Sequence, residues 1–177
     1  IIRHLKDTGC QLLWIGAESG SQKVLDLMDR RVKAQQVRDM IRLAGSYGIK
    51  TGTFIMLGYP GEEQVDIVET IRHLKSAGPD YFTINLAYPI KGTRLHKEVE
   101  KTMISKGAWV ETPDRELDFK RTYSRRYYDL AIRRIYNEVN AHKEMMKGNA
   151  AAYFRHSLKS ALSRAAMQLY NWSNLKK

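Results

Sequence analysis

Glu18, Ser19 and Ser21 offer a carboxylate and two hydroxyls directly after the apolar run at residues 12–15. A carboxylate at the end of a buried strand can accept two hydrogen bonds from a vicinal diol, as acidic residues do for nucleotide ribose in other α/β folds. A local use is also open, because serine caps the start of a helix and an acidic residue complements the helix dipole. Taken alone, the motif favours capping, and a diol site is the functional alternative.

A second corner, at residues 52–62, has the same layout. The apolar run Phe54 to Leu57 predicts a strand buried on both faces of a parallel sheet, and the Gly-Tyr-Pro-Gly sequence at 58–61 then forces a turn. Glu62 and Glu63 are expected in the first turn of the next helix, where the macrodipole favours acids. The backbone N–H groups of such a turn can cradle a ligand, although a tight connection is the simpler interpretation.

Other reactive side chains narrow the chemistry further. Arg30 and Arg31 could clamp a carboxylate or phosphate, or could lie in solvent at a helix end, which is the commoner arrangement. The five histidines show no metal-ligand spacing, and Ser19 lacks the frame of a hydrolase nucleophile. The single cysteine, Cys10, excludes a disulfide framework, cannot hold an iron–sulfur cluster by itself, and indicates a reducing compartment.

The charge of the chain is strongly uneven. Its 177 residues carry a net charge of +11, and 43% of them are apolar, which is enough for a core. Residues 1–118 hold 17 Lys and Arg against 16 Asp and Glu, whereas residues 119–177 hold 13 against 3. The positive charge of the last third therefore indicates which partners the protein could bind, and it carries no information about the fold.

The elements that position these groups alternate between strand and helix. The apolar patterns predict strands at 11–15, 49–57 and 81–88, and helices at 1–8, 21–29, 62–77 and 93–107. They also predict a helix that contains residues 37–44 and ends at 47–48. This spacing is typical of βαβ units with right-handed crossovers and a parallel sheet. The first strand would leave an open apolar edge, and the chain starts inside a helical pattern at Ile1. We therefore expect part of the core to lie outside this chain.

No strand pattern returns after residue 118. Apolar residues from Phe119 to Val139 line one side of a helix that reaches about Lys147, and Gly148-Asn149 interrupts it. A second apolar stripe follows, formed by Phe154, Leu158, Ala161, Leu162, Ala165 and Leu169. The two stripes predict an αα-hairpin with a basic outer surface. We divide the chain into an α/β core at 1–107, a connector at 108–118 and a basic α-helical extension at 119–177.

Three segments in order carry a family resemblance: W-I-G-A-E-S-G-S-Q-K-V-L-D-L-M-D-R-R, G-I-K-T-G-T-F-I-M-L-G-Y-P-G-E and Y-P-I-K-G-T-R-L. Together they resemble the second half of a radical S-adenosylmethionine (radical SAM) core, closest to the class in which that core follows a cobalamin-binding domain. The resemblance covers about residues 1–107. It implies an α/β fold in which this chain supplies strands four to six of a partial, TIM-like (β/α)6 barrel, followed by the C-terminal α-helical hairpin.

The resemblance also implies a cofactor-binding role for six residues, to which we add two neighbouring serines. In the family, the residue at Glu18 contacts the ribose hydroxyls of S-adenosylmethionine, and the basic residue matching Arg30 meets its methionine carboxylate. The adenine is flanked by the backbone around Met56, Leu57 and Gly58 and by the residue at Leu86. We place Ser19 and Ser21 beside Glu18 in the same site.

One family motif is absent from this sequence. The C-x-x-x-C-x-x-C loop binds a four-iron four-sulfur cluster in the family, and it does not occur among the 177 residues. The resemblance thus implies S-adenosylmethionine as the cofactor that this chain contacts, a cluster whose ligands lie outside it, and a cobalamin whose domain would also lie outside it. We expect the chain by itself to be inactive and the N-terminal half of the core to be its partner.

The implied reaction is radical-initiated methylation, cyclisation or rearrangement of an unactivated carbon in a cytoplasmic enzyme. The substrate would be a small or lipid-like molecule that no motif identifies. Two alternatives for the basic tail stay open. Its arginines, interleaved with tyrosines between Tyr123 and Tyr136, would suit a nucleic-acid-binding, RNA-modifying module, although those tyrosines fall largely on the apolar stripe. The tail would also suit peripheral contact with an anionic membrane.

Overall fold

The structure is a computed structural model that describes residues 1–104 and 117–174. Its centre is a three-stranded parallel sheet of β1 (Leu12–Glu18), β2 (Lys50–Leu57) and β3 (Tyr81–Leu86), in the order β1-β2-β3. The predicted parallel sheet is confirmed, and β1 continues past its expected end at Ile15. Because the strands run parallel, both corners identified in the sequence lie at one edge of the sheet, where all three strands end.

Helices precede, connect and follow the strands. In the described residues they are α1 (Ile2–Asp7), α2 (Gln22–Leu27), α3 (Ala34–Ser46), α4 (Gln64–Ala77), α5 (Arg94–Val99), α6 (Arg125–Met146) and α7 (Ala150–Asn174). The helix expected at 93–107 is shorter, because α5 gives way to a 3-10 turn at Glu100–Thr102. Its last expected residues, 105–107, and most of the connector lie outside the described residues. None of the helices described is long and apolar enough to cross a membrane.

The first helix of the tail begins later than its apolar pattern predicts. Ser124 is the N-cap of α6, and its hydroxyl accepts a hydrogen bond from the Tyr127 N–H at 3.3 Å. Phe119, the expected start, instead forms an isolated antiparallel bridge with Met103. Phe119 is nevertheless buried in a small apolar cluster with Val99. The apolar pattern therefore begins before the helix does, because Phe119 is buried in this cluster and not on a helical face.

The two faces of the sheet differ in what covers them. Ala17, Ile55 and Leu57 face the helices and belong to the main core. On the opposite, open face, Trp14 and Phe54 stack with ring centroids 4.7 Å apart and are 39% and 43% exposed. The expectation that residues 54–57 are buried on both faces is therefore wrong for Phe54.

A glycine on β2 accommodates this aromatic pair. A Cβ added at Gly52 would lie 2.5 Å from the Trp14 ring, so the missing side chain leaves the space that the indole fills. Gly52 pairs with Trp14 in the strand register, and Phe54 pairs with Gly16. The open face therefore carries the Trp14–Phe54 pair, and Gly16, beside Phe54, adds no side chain to it.

The helical tail shares its core with the α/β unit. The main cluster contains Ile67 and Ile71 of α4 together with Tyr127, Ile135 and Val139 of α6. The Lys75–Glu138 ion pair, at 2.8 Å, also joins α4 to α6. The extension is therefore packed onto the sheet layer through α4, and the boundaries that we expect for it, at 108–118, stay a prediction.

α7 packs antiparallel along α6. The His156 Nδ1 lies 3.0 Å from the Asn137 Oδ1, and farther along the pair the Arg126 guanidinium lies over the Tyr170 ring. The buried residues of α7 are Ser160, Ser163 and Met167. The second stripe predicted from the sequence is on the other side of α7, in solvent. The outer surface of the tail is therefore apolar as well as basic.

Candidate functional site

Glu18 ends β1 in a strained conformation. The register between β1 and β2 shifts between Gly16 and Glu18, and the Glu18 φ is 60°. A positive φ is uncommon for residues other than glycine, and such outliers cluster at ligand-binding sites. β1 therefore ends at Glu18 with an irregularity in its pairing to β2.

The Glu18 carboxylate lies over Gly16. A Cβ added at Gly16 would lie 2.9 Å from the Glu18 Oε1 and 3.4 Å from the Arg30 Nη2. Ala17 is fully buried on the helix side, so the neighbouring Gly16 faces the open side. Glu18 and Arg30 therefore bring an acid and a base together on the open face, at the carboxyl edge of the sheet.

The backbone after α2 explains how Arg30 returns to this edge. The Asp29 N–H donates to the Asp26 carbonyl at 3.0 Å and the Arg30 N–H donates to the Leu25 carbonyl at 2.9 Å, which is the pattern of a Schellman motif. Asp29 takes the left-handed position, with φ 54°. The chain reverses there, and the Arg30 Nη2 donates to the Gly16 carbonyl at 3.3 Å.

The electrostatics of this pair are set by partial burial. Burial raises the pKa of Glu18 above its ordinary value, and the positive charge of Arg30 opposes that rise. The Glu18 carboxylate, half-buried over Gly16 with a guanidinium beside it, can accept hydrogen bonds from a diol. The same guanidinium can meet the negative end of the ligand.

Ser19 and Ser21 are used inside the protein. Both are buried; the Ser19 Oγ lies 3.3 Å from the Thr70 Oγ1, and the Ser21 hydroxyl donates to the Asp66 Oδ1 at 2.7 Å. Ser21 is the N-cap of α2 by position, but its side chain makes no capping hydrogen bond, so the expected capping role is not confirmed. These bonds fasten the loop after Glu18 to α4, and a direct role in cofactor binding stays a prediction for both serines.

Gly20 makes the closest contact in this loop. A Cβ there would lie 2.5 Å from the Thr70 Cα and 2.7 Å from the Glu69 carbonyl oxygen. The Gly20 N–H also donates to the Thr70 Oγ1 at 3.0 Å. The loop backbone therefore lies directly on α4, and this contact fixes the distance between α4 and the end of β1 at Glu18.

At the second corner, the carboxyl group of Glu62 is hydrogen-bonded to the backbone of the turn. The helix begins at Gln64, so Glu62 precedes it and is fully buried, with its Oε2 accepting the Gly58 N–H at 2.7 Å. The Gly58 amide is therefore already bonded within the protein. Sequence reasoning placed Glu62 in the first helical turn and did not identify this contact, although an acid four residues after a turn glycine is the available signal.

Arg121 is a second residue that the sequence did not single out. Its Nη2 donates to the Ala87 carbonyl, just after β3, at 2.6 Å, and its Nη1 pairs with Asp118. A Cβ at Gly58 would lie 2.7 Å from the Arg121 Cδ. Arg121 thus covers the ends of β2 and β3 together. No local pattern predicts this contact, because it joins segments far apart in the chain.

The residues expected around the adenine are spread over both faces. Met56 is half-buried toward the open side, in the small cluster with Phe119. Leu57 is fully buried in the main core, and its register partner Leu86 packs against the same core. Leu86 also lines a groove of about 460 Å³ with Arg121. The contact of these two leucines with adenine stays a prediction.

The described residues offer no metal site. Among residues 1–104 and 117–174, no group of three His, Cys, Asp or Glu side chains could hold a metal ion. Cys10 precedes β1 and lies at the opposite end of that strand from Glu18. With Cys10 as the one cysteine of the sequence, this chain does not supply the three thiolates that hold an iron–sulfur cluster in the family.

Two buried titratable groups predict a characteristic pH profile of stability. Burial raises the pKa of Glu62 from 4.5 to about 8, against the bond from Gly58 and the charge of Lys23. The folded state then holds a proton that the unfolded state has lost, so stability falls as pH rises through this window. Burial lowers the pKa of His73 from 6.5 to about 4, with Arg38 contributing, so stability rises with pH between those values.

We expect these slopes, about 1.4 kcal/mol per pH unit each, to oppose one another below pH ~6.5 and the Glu62 slope alone to act above it. Urea unfolding of Glu62→Gln at pH 5 to 8 should therefore remove the decline above pH ~6.5. His73→Phe should instead extend the decline to lower pH. An unchanged profile in Glu62→Gln would contradict the assignment.

The fold and the site together define an α/β protein with an acid and a base at the carboxyl edge of a parallel sheet. The Radical SAM superfamily model matches residues 1–74. The chain is 31% identical over 96 residues to an uncharacterized methyltransferase of Pyrococcus horikoshii, covering 54% of this chain and 21% of that protein. The matched part of the chain, residues 1–74, therefore carries the similarity to the radical SAM superfamily.

Two further relatives carry transferase or synthase names. A putative methylthiotransferase of Methanocaldococcus jannaschii is 30% identical over 95 residues, covering 54% of this chain and 21% of that protein. A tRNA-2-methylthio-N(6)-dimethylallyladenosine synthase of a Sulfurihydrogenibium species is 32% identical over 73 residues, covering 40% and 17%. The matched part spans only about a fifth of the length of these relatives, so their whole activity does not transfer directly.

Proposed function

We propose that this chain is the S-adenosylmethionine-binding, C-terminal part of a radical SAM enzyme of the cobalamin-linked class. Its β1 to β3 would be strands four to six of the barrel. The reaction of the whole protein would be radical-initiated methylation, cyclisation or rearrangement of an unactivated carbon. The observation that carries the proposal is the Glu18 carboxylate, which lies over Gly16 beside the Arg30 guanidinium at the carboxyl edge of the sheet.

The residues of this chain divide the work of binding. Glu18 accepts hydrogen bonds from the ribose hydroxyls, and Arg30 neutralises the methionine carboxylate. The backbone at Met56 and Leu86 borders the adenine. Glu62 is bonded to the Gly58 N–H after β2, and Arg121 is bonded to the Ala87 carbonyl after β3. These two contacts hold the ends of the strands in place. The iron–sulfur cluster, bound by residues outside this chain, supplies the electron that cleaves the sulfonium bond.

The nucleic-acid-binding alternative has less support. Tyr127 and Tyr128 are 1% and 0% exposed, so they are not available to stack on bases. Arg134 is buried and pairs with Glu138 at 2.9 Å. Tyr127 and Tyr128 are therefore core residues, as their position on the apolar stripe indicates.

Arg30→Met tests the assignment in the complete, cluster-loaded protein. We expect S-adenosylmethionine affinity to fall roughly tenfold or more, because a charge-assisted bond to the ligand carboxylate is lost. Isothermal titration measures the affinity, and 5′-deoxyadenosine formation under reducing, anaerobic conditions reports the chemistry.

Arg31→Met is the matched control. The Arg31 side chain is 88% exposed and lies 3.6 Å from Asp29, so its loss should leave affinity within about twofold of the original. Equal effects of the two substitutions would reject Arg30 as the carboxylate ligand.

A further inference from the structure

Within the described residues, one face of α7 is apolar and exposed to solvent. Its buried residues pack toward α6, and four large apolar side chains lie on the opposite side: Phe154, Leu158, Leu162 and Leu169, which are 68%, 63%, 62% and 68% exposed. At about 100° per residue these four fall within a sector of roughly 80°, so they form one continuous surface. We call this surface the α7 stripe.

The α7 stripe is flanked by cations. Arg155 and Lys159 lie beyond one border and Arg164 beyond the other, and all three are exposed. The last acidic residue of the chain is Glu144, so residues 145–177 contain six Lys and Arg and no Asp or Glu. The surface is therefore apolar along its centre and purely basic along its sides.

This combination selects among the surfaces that could cover it. Two copies of α7 would bring like charges together at both borders, with no acidic residue on α7 to offset them. A nucleic acid would use the cations but would leave the leucines in water. An anionic lipid surface meets both needs, because acyl chains receive the apolar side chains while lipid phosphates meet the cations.

We propose that α7 lies along the surface of an anionic membrane, with the α7 stripe inserted into the acyl boundary and Arg155, Lys159 and Arg164 at the level of the phosphates. The helix is roughly 37 Å long, which allows a long line of contact parallel to the bilayer. This inference does not depend on the proposed cofactor site, which is on the sheet.

Vesicle flotation of the whole protein tests the inference. We expect binding to phosphatidylcholine vesicles that contain about 30% phosphatidylserine, little binding to phosphatidylcholine alone, and a marked fall in binding at 0.5 M salt. Arg155→Glu with Lys159→Glu should weaken binding at least tenfold, since each basic side chain near an anionic surface contributes about fivefold in affinity.

The double variant Leu158→Gln, Leu162→Gln tests the apolar part. We expect its partition to anionic vesicles to fall roughly tenfold or more, because two inserted leucines are lost. Met40→Gln with Leu43→Gln is the matched control, as these α3 side chains are 41% and 45% exposed and lie outside the α7 stripe. Circular dichroism of both double variants verifies that folding is retained.

Three outcomes would overturn the inference. The first is equal binding to neutral and anionic vesicles. The second is a change of oligomeric state, measured by light scattering, in the Leu158→Gln, Leu162→Gln variant without any loss of lipid binding, which would identify a second copy as the occupant. The third is absence of vesicle binding with a lowered melting temperature in that variant, which would place another part of the same protein on the stripe.

Discussion

Replacing Glu18 with glutamine should weaken S-adenosylmethionine binding by roughly 10- to 100-fold, while replacing it with glycine should weaken binding equally and yet stabilise the protein. The first effect follows from the loss of a charged acceptor for the ribose hydroxyls, which contributes about 1.5–3 kcal/mol. The second follows from the φ of 60° at this position, which glycine adopts without the cost of about 1 kcal/mol that a side chain incurs.

The pair of variants separates binding from strain. Glu18→Gln keeps the strained backbone and the size of the side chain, so its melting temperature should stay near that of the original protein. Titration of the complete, cluster-loaded protein with S-adenosylmethionine and thermal unfolding measured on the same samples give both quantities. If Glu18→Gln binds within about twofold of the original protein, the ribose contact is wrong; if Glu18→Gly is less stable, the strain is wrong.

Gly20→Ala should destabilise the protein by about 3 kcal/mol. The added Cβ would lie 2.5 Å from the Thr70 Cα and 2.7 Å from a carbonyl oxygen, and backbone atoms cannot move aside as a flexible side chain can. Either the loop lifts off α4 or the helix shifts, and both changes displace Glu18. We therefore expect cofactor affinity to fall together with stability.

Gly45→Ala is the control for this substitution. Gly45 lies inside α3, and nothing is within 4 Å of a Cβ added there. Alanine should stabilise the protein by about 0.5–1 kcal/mol, because it lowers the entropy of the unfolded chain and favours the helix. Urea unfolding resolves changes of opposite sign. Similar midpoints for Gly20→Ala and the original protein would show that the loop does not rest on α4 as described.

The pH profile and the Gly20 contact both concern the contacts that hold the two corners in place. Thr70 and Asp66 hold the loop after β1, and Glu62 holds the turn after β2. Below pH ~8 the Glu62 side chain is a neutral carboxylic acid in the folded state, so it can stay buried beside that turn without a counter-ion. The edge of the sheet is thus held in place by polar contacts with α4 and with Glu62, which precedes it.

The sequence alone determined the order of the elements. The alternation of apolar runs with glycine turns is a local property, and it predicted the three parallel strands and most of the helices that connect them. The position of Glu18 at the end of a parallel strand was also predictable from the sequence. Its role in ligand binding, which rests on where α/β proteins bind ligands, stays a prediction.

Only the tertiary structure decided how the faces are used. Local pattern treats every apolar run as buried, yet Phe54 and the α7 stripe lie in solvent because burial depends on which layers pack where. The bonds from Ser21 to Asp66 and from Arg121 to Ala87 join residues far apart in the chain. No periodicity reports such contacts, since they arise when separate helices and loops meet at one edge of the sheet.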